Sequence, residues 1–183
     1  MLIDSTTIVL DGDPVLRRKA DLVQLPLSEE DKNTLTDMIE YVRNSHDEEF
    51  CKEHNVRASV GIAAPQIAVS KQMLAISIMD KDGDIEFALV NPKIISNSTQ
   101  KAYLENGESC LSVNPDREGY VPRYAKITVR AYNMLTDRFE DIRLKGYPAI
   151  VMQHEMDHLK GKLYYDHINP ADPWQEVEGA LVI

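Results

Sequence analysis

Cysteine is scarce in this chain: Cys51 and Cys110 are the only two among 183 residues. A disulfide-built scaffold is therefore excluded, and the reducing cytoplasm is the expected address. Long apolar runs are lacking as well. No stretch approaches the roughly 18 apolar residues of a membrane span. Met1-Leu2-Ile3-Asp4 has no basic region leading into an apolar one, so no secretory signal is expected. Positive charge is short: 20 Lys and Arg stand against 30 Asp and Glu, a formal net charge of −10. Nucleic-acid backbones and anionic lipids reward Lys and Arg, so direct DNA binding and membrane association are not expected. Repeats and low-complexity segments are absent. What remains is ordinary globular composition, 43% hydrophobic and 27% charged, in a length suited to one domain with a real core. The whole of 1–183 reads as that domain, with 169–183, which contains Pro170 and Pro173, as an irregular tail.

The pattern along the chain is α+β. Asp13-Pro14 resembles an N-cap followed by proline at the first helical position. Ser28 and Asp31 have capping-box spacing, with Asp in place of the usual Glu. Leu35, Met38, Ile39 and Val42 then fall at i, i+3, i+4 and i+7, the apolar stripe of a helix ending near Asn44-Ser45; residues 48–53 suggest another turn or two. Two hairpins follow. Residues 73–79 and 85–90 flank Asp80-Lys81-Asp82-Gly83-Asp84, with 93–96 extending the second strand; residues 127–134 and 139–144 flank Thr136-Asp137. Gly146-Tyr147-Pro148 opens a further helix, with Pro148 at N1 and Gly161 suited to the C′ position. This order predicts antiparallel sheets packed around that second helix, with the earlier helix N-terminal to them.

The second helix carries His154-Glu155-Met156-Asp157-His158, an H-E-x-x-H pattern. Positions i and i+4 share one helix face, so both imidazoles reach one cation, and the adjacent Glu155 carboxylate can take a proton from water beside it. Two exposed histidines on an amphipathic helix are the plainer alternative. Ile150 and Val151 count against it, because they make the helix look buried and buried histidines need partners. A third ligand is required. The extended pattern of the metzincin proteases would put histidine at 164, where this chain has Tyr164. Glu176 and Glu178 lie in the proline-containing tail, and His167 reads as part of a loop. Cys110 is the remaining good donor, a thiolate suited to zinc or iron, although a lone cysteine is more often a core residue.

Three segments taken together point further. Val60-Gly61-Ile62-Ala63-Ala64-Pro65-Gln66, Glu108-Ser109-Cys110-Leu111-Ser112 and Gln153-His154-Glu155-Met156-Asp157-His158 resemble, in order and separation, the three signature motifs of the peptide deformylases. Length and insertions resemble the type found in Gram-positive bacteria, type 2. Two positions depart: Ser59 stands at the first family glycine and Ser109 at the glycine before the cysteine.

The resemblance implies removal of the N-formyl group from nascent peptides that begin with formyl-methionine. It makes Cys110, His154 and His158 the metal ligands, Glu155 the general base and then acid, and the Gln66 amide with the Leu111 N–H the oxyanion donors. It implies Fe(II) as native metal, with Zn, Ni or Co able to occupy the site. It places Val60, Tyr147, Ile150 and Val151 in the methionine pocket over His154, and Gly61 and Ser109 beside the substrate main chain. The run 60–64 would take the peptide as an added strand. Arg117 and Arg123 match family arginines that would pair with Glu108. Partners would be formyl-Met nascent peptides, with transient ribosome contact, and the enzyme would be a monomer. Two rivals carry different consequences. An H-E-x-x-H endopeptidase with a downstream ligand would keep its metal without this cysteine, and a deformylase-like paralogue would act on another N-acyl substrate. A non-catalytic binder with a structural metal would need four protein ligands, and three are found.

Overall fold

The computed structural model describes residues 2–81 and 83–183; Met1 and Asp82, a residue expected at the first hairpin tip, lie outside them. Three helices are α1 (Glu29–Asn44), α2 (Glu48–His54) and α3 (Tyr147–His158). The strands are β1 (Gly61–Ala63), β2 (Met73–Ile78), β3 (Ile85–Asn97), β4 (Lys101–Tyr103), β5 (Arg123–Tyr124), β6 (Lys126–Asn133), β7 (Arg138–Lys145) and β8 (Leu181–Val182). The larger sheet runs β1-β2-β3-β6-β7 with every neighbouring pair antiparallel. The smaller runs β5-β4-β8, and there β8 pairs parallel to β4. The tail thus ends in a short strand instead of staying irregular throughout.

Local chemistry accounts for the element ends. Ser28 Oγ accepts the Asp31 N–H at 3.1 Å, which starts α1, and donates to the Asp31 carboxylate at 2.9 Å. Asp13 caps a 3₁₀ turn, Pro14–Arg17, through Val15 N–H. Gly146 is the N-cap of α3, so Pro148 takes its second position, one later than the sequence suggested. The last turn of α3 closes at Gly161, whose φ is +70°. There Gly161 N–H reaches His158 O at 3.1 Å and Lys162 N–H reaches Asp157 O at 3.0 Å, the pair of bonds that defines a Schellman ending.

The alternation of side chains along β2 builds two cores on one sheet. Met73 and Ala75 face α1, packing with Leu35, Met38, Ile39 and Val42. Leu74, Ile76 and Ile78 face the other way, toward Ala149, Val151, Met152 and Met156 of α3. The sheet is therefore covered on both faces at β2, all six residues of which are buried. This layering holds α3 against the sheet and leaves β1 as an edge beside it.

The stripe on α1 yields a test. Leu35 is fully buried. Leu35→Ala is expected to destabilise the fold by about 2–5 kcal/mol in urea unfolding. Lys32→Ala, which breaks only the exposed Lys32–Glu29 pair, should leave the midpoint in place.

Candidate active site

Helical geometry brings His154 and His158 together, with ring centroids 5.2 Å apart. Cys110 arrives from the segment between β4 and β5. Its Sγ lies 3.4 Å from His158 Nε2. One donor atom from each of Cys110, His154 and His158 lies within 4.8 Å of the others. The three predicted ligands therefore converge. His167 is elsewhere: its Nε2 bonds Asp157 Oδ2 at 2.7 Å. Tyr164 is buried, stacks on His154 at 5.8 Å and accepts the Arg117 N–H at 2.7 Å.

Behind the donors lies a buried ionic chain. Arg123, 4% exposed, donates to both Glu108 oxygens at 2.7 and 2.9 Å and to Asp157 Oδ2 at 2.8 Å. Glu108 Oε1 in turn meets His154 Nδ1 at 2.7 Å, which turns Nε2 of that ring toward the cysteine side. Burial opposes ionisation of Glu108, but the Arg123 guanidinium and His154 overcome it and hold the carboxyl at about 2. Burial likewise opposes ionisation of Asp157, and His167 with Arg123 holds it well below the usual carboxylate range. Burial lowers the His158 pKa, and neighbouring His154 pushes the same way. For His154, burial acts downward, but bonds to Cys110 and Glu108 outweigh it and raise the pKa. The expected pairing of Arg117 with Glu108 is not formed. Arg117 instead lies over the Tyr165 ring, 5.3 Å from its centroid, and its main-chain N–H is held by Tyr164 Oη.

A cleft of about 330 Å³ opens onto this centre. Its walls include Val60, Gly61, Gln66, Ser109, Cys110, Leu111, Tyr147, Ile150, Val151, His154 and Glu155, every predicted site residue except His158, which is buried beneath. Ile150 and Val151 are buried and Tyr147 stands 37% exposed at the rim. His46, Arg57 and Ser59 also line it. Gln66 sits in the 3₁₀ turn after β1; its Oε1 accepts the Ala63 N–H at 2.9 Å, and its Nε2 lies 3.5 Å from Cys110 Sγ and 3.2 Å from Ser112 Oγ. Leu111 N–H donates to no acceptor among the described residues, so it is available to a ligand.

Glu155 is 5% exposed, and burial pushes its carboxyl up to about 7. Its Oε2 and His158 Nδ1 are buried without a partner among the described residues. A buried carboxylate oxygen left alone is costly. A proton-bearing group beside a cation would remove that cost, and thiolate plus two imidazoles suits a soft or borderline divalent metal. The residues therefore fit a metal site. Glu155 also explains Gly61. A Cβ built at 61 would lie 2.6 Å from Glu155 Oε1 and 2.9 Å from its Cγ and Cδ.

Sequence reasoning missed three roles. Glu108 orients His154, Asp157 anchors Arg123 and His167, and Gln153 clamps β5 by accepting Tyr124 N–H and donating to Tyr124 O, both at 2.9 Å. All three lie inside the quoted motifs, and a charged or amide residue inside a buried motif was the available signal.

Two tests follow from this geometry. Gly61→Ala should keep the far-ultraviolet spectrum and lower kcat by about 10²-fold or more, since a displacement of a catalytic group of about 1 Å costs that much. Arg123→Met takes the guanidinium from two buried carboxylates and leaves each with a histidine alone, which should cost about 3–5 kcal/mol in urea unfolding. Depressed carboxyl pKa values add stability above their unfolded values, and this is lost as pH falls toward the folded ones. In metal-free protein the wild type should thus lose stability as pH falls from about 4.5 towards 2, and the Arg123→Met acid midpoint should move to higher pH.

Comparison with known proteins places the chain in a family. The family model described as Polypeptide deformylase matches residues 5–174. Peptide deformylase 2 of Bacillus anthracis is 49% identical over 174 residues, 94% of each chain. Peptide deformylase 2 of Bacillus subtilis is 48% identical over 183 residues, covering 100% of this chain and 99% of that protein. Among solved structures, the peptide deformylase from Thermus thermophilus superposes with a TM-score of 0.70 at 31% identity, covering 90% of this chain and 86% of that one. The Met-Ala-Ser-bound class I type b peptide deformylase from Acinetobacter baumannii gives 0.69 at 28% identity, covering 92% and 99%. The chain belongs to the polypeptide deformylase family, on the side of its Gram-positive members.

Proposed function

We propose that this protein removes the formyl group from the N-terminal formyl-methionine of nascent peptides and releases formate, with 1–183 working as one catalytic domain. The observation that carries the reading is the convergence of the Cys110, His154 and His158 donors beside a buried Glu155 at the foot of the cleft. The family is metal-dependent, and these three residues would hold the ion. When bound, the metal lowers the pKa of water to about 7 and polarises the formyl oxygen.

This chain's own residues supply the rest. Glu155, buried with its Oε2 unpartnered, takes a proton from water and hands it to the leaving α-amine. Gln66 Nε2 and Leu111 N–H are the donors for the developing oxyanion, and losing one such donor typically costs about 10²–10³ in kcat. Val60, Tyr147, Ile150 and Val151 form the apolar recess for the methionine side chain, with His154 at its floor. Gly61 and Ser109 line the path of the peptide main chain.

Strand addition has a stereochemical basis. Ser77 N–H donates to Val60 O at 3.0 Å, so the Val60 carbonyl and the Ile62 main-chain groups turn toward β2. Gly61 and Ala63 then turn theirs to the open side, where Gln66 takes the Ala63 N–H. An extended peptide laid along β1 pairs through Gly61 without its side chains being read, which suits a substrate class that shares only its first residue. Fe(II) is the metal this reading favours, with Zn, Ni or Co able to replace it. The enzyme would work in the cytoplasm as a monomer, touching the ribosome transiently. No helix among the described residues is long and apolar enough to cross a membrane.

The test is formate release from formyl-Met-Ala-Ser by protein purified without oxygen and loaded with Fe(II) or Ni(II). Turnover should vanish on chelation. Glu155→Gln should keep its metal and lose about 10²–10⁴ of kcat, whereas Cys110→Ala should lose the metal itself. Metal retained by Cys110→Ala would favour an endopeptidase with another ligand. Fe(II) enzyme stored in air should lose activity, because both iron and thiolate oxidise.

A further inference from the structure

Ser59 is a departure from the family pattern, and its side chain lies in the cleft. Its Oγ donates to Gly61 O at 2.7 Å and accepts the Gly61 N–H at 3.3 Å. These are the two groups that the β1–β2 ladder turns away from β2. One hydroxyl therefore occupies both of the main-chain positions that an added strand would use at Gly61.

The rest of Ser59 is fixed. Its N–H donates to Ser45 Oγ at 3.1 Å, and the single Ser45 hydroxyl proton is shared between Val42 O at 2.8 Å and Ser59 O at 2.9 Å. Ser45 is 2% exposed, so it anchors Ser59 to the end of α1. Gly61 has no slack either, since the Glu155 side chain packs against it. The hydroxyl can leave only by turning about the Cα–Cβ bond, a fast motion that moves no main chain.

We infer that Ser59 sets substrate affinity by competing with the peptide main chain for Gly61. In the free enzyme its hydroxyl caps the strand edge; a formyl-peptide must displace it before pairing with β1. The inference rests on the deformylase reading and on strand addition. The competition is finished before the chemical step, so it weakens binding and leaves the barrier from bound peptide unchanged. It acts on the main chain, so its factor is common to peptides that differ after methionine.

The experiment is steady-state kinetics of the metal-loaded wild type, Ser59→Ala and Ser59→Thr on formyl-Met-Ala-Ser, with calorimetric titration of the product peptide Met-Ala-Ser onto each. Ser59→Ala should lower KM and the product Kd by about 2- to 12-fold, the range of one net hydrogen bond, with kcat within about twofold. Ser59→Thr, which keeps the hydroxyl, should bind like the wild type. An unchanged or raised Kd in Ser59→Ala would overturn the inference, as would a fall in kcat at constant KM. The titration needs no turnover. If metal-loaded wild type releases no formate, the deformylase reading fails, and the Met-Ala-Ser Kd still judges Ser59.

Discussion

The Arg123 guanidinium joins the pieces of the centre to one another. Its five donors form a rigid fork, and the fork spans Glu108 on one side and Asp157 on the other. Glu108 is two residues from Cys110 and bonded to His154, while Asp157 directly precedes His158. All three metal donors are thus set by groups that one cation holds. Lysine, a single point charge, could not grip both carboxylates with fixed angles. Three buried charges are tolerable only when each is fully partnered, and here His167 completes Asp157 as His154 completes Glu108. The chain is closed at both ends, which is why a cluster so costly to desolvate can lie under the cleft.

That cluster marks the boundary of what could be read from residues alone. Elements with their own local chemistry were legible: the Ser28 cap, the stripe from Leu35 to Val42, both long hairpins and the Schellman ending at Gly161. The donor set was legible as well, because H-E-x-x-H spacing places two imidazoles on one face whatever the rest of the fold does, and the cysteine motif supplied the third. The small sheet was not. β4, β5 and β8 have two or three residues each, too few for a period of two to show, and β8 finds its partner across about 80 residues of chain. The choice between Arg117 and Arg123 was equally hidden. Both are arginines near the cysteine motif, and only tertiary packing decides that one is sealed between two carboxylates and the other rests on a tyrosine ring.

The contact between Gly61 and Glu155 links recognition to chemistry. Glu155 needs a dry surrounding for its carboxyl to rise to about 7, and the bare Cα of Gly61 lets β1 come close enough to provide part of it. The same closeness puts the main-chain edge of β1, which Ser59 caps at Gly61, alongside the Glu155 carboxylate. A peptide held on that edge is delivered at a fixed distance from the base, whatever its sequence. On the proposed function, selectivity is left to the part of the cleft lined by Val60, Tyr147, Ile150 and Val151. A side chain at 61 would drive into the Glu155 carboxylate and force β1 and α3 apart, opening space around the base. If the protein works as proposed, selection by first residue and main chain follows from placing that edge directly against the Glu155 carboxylate.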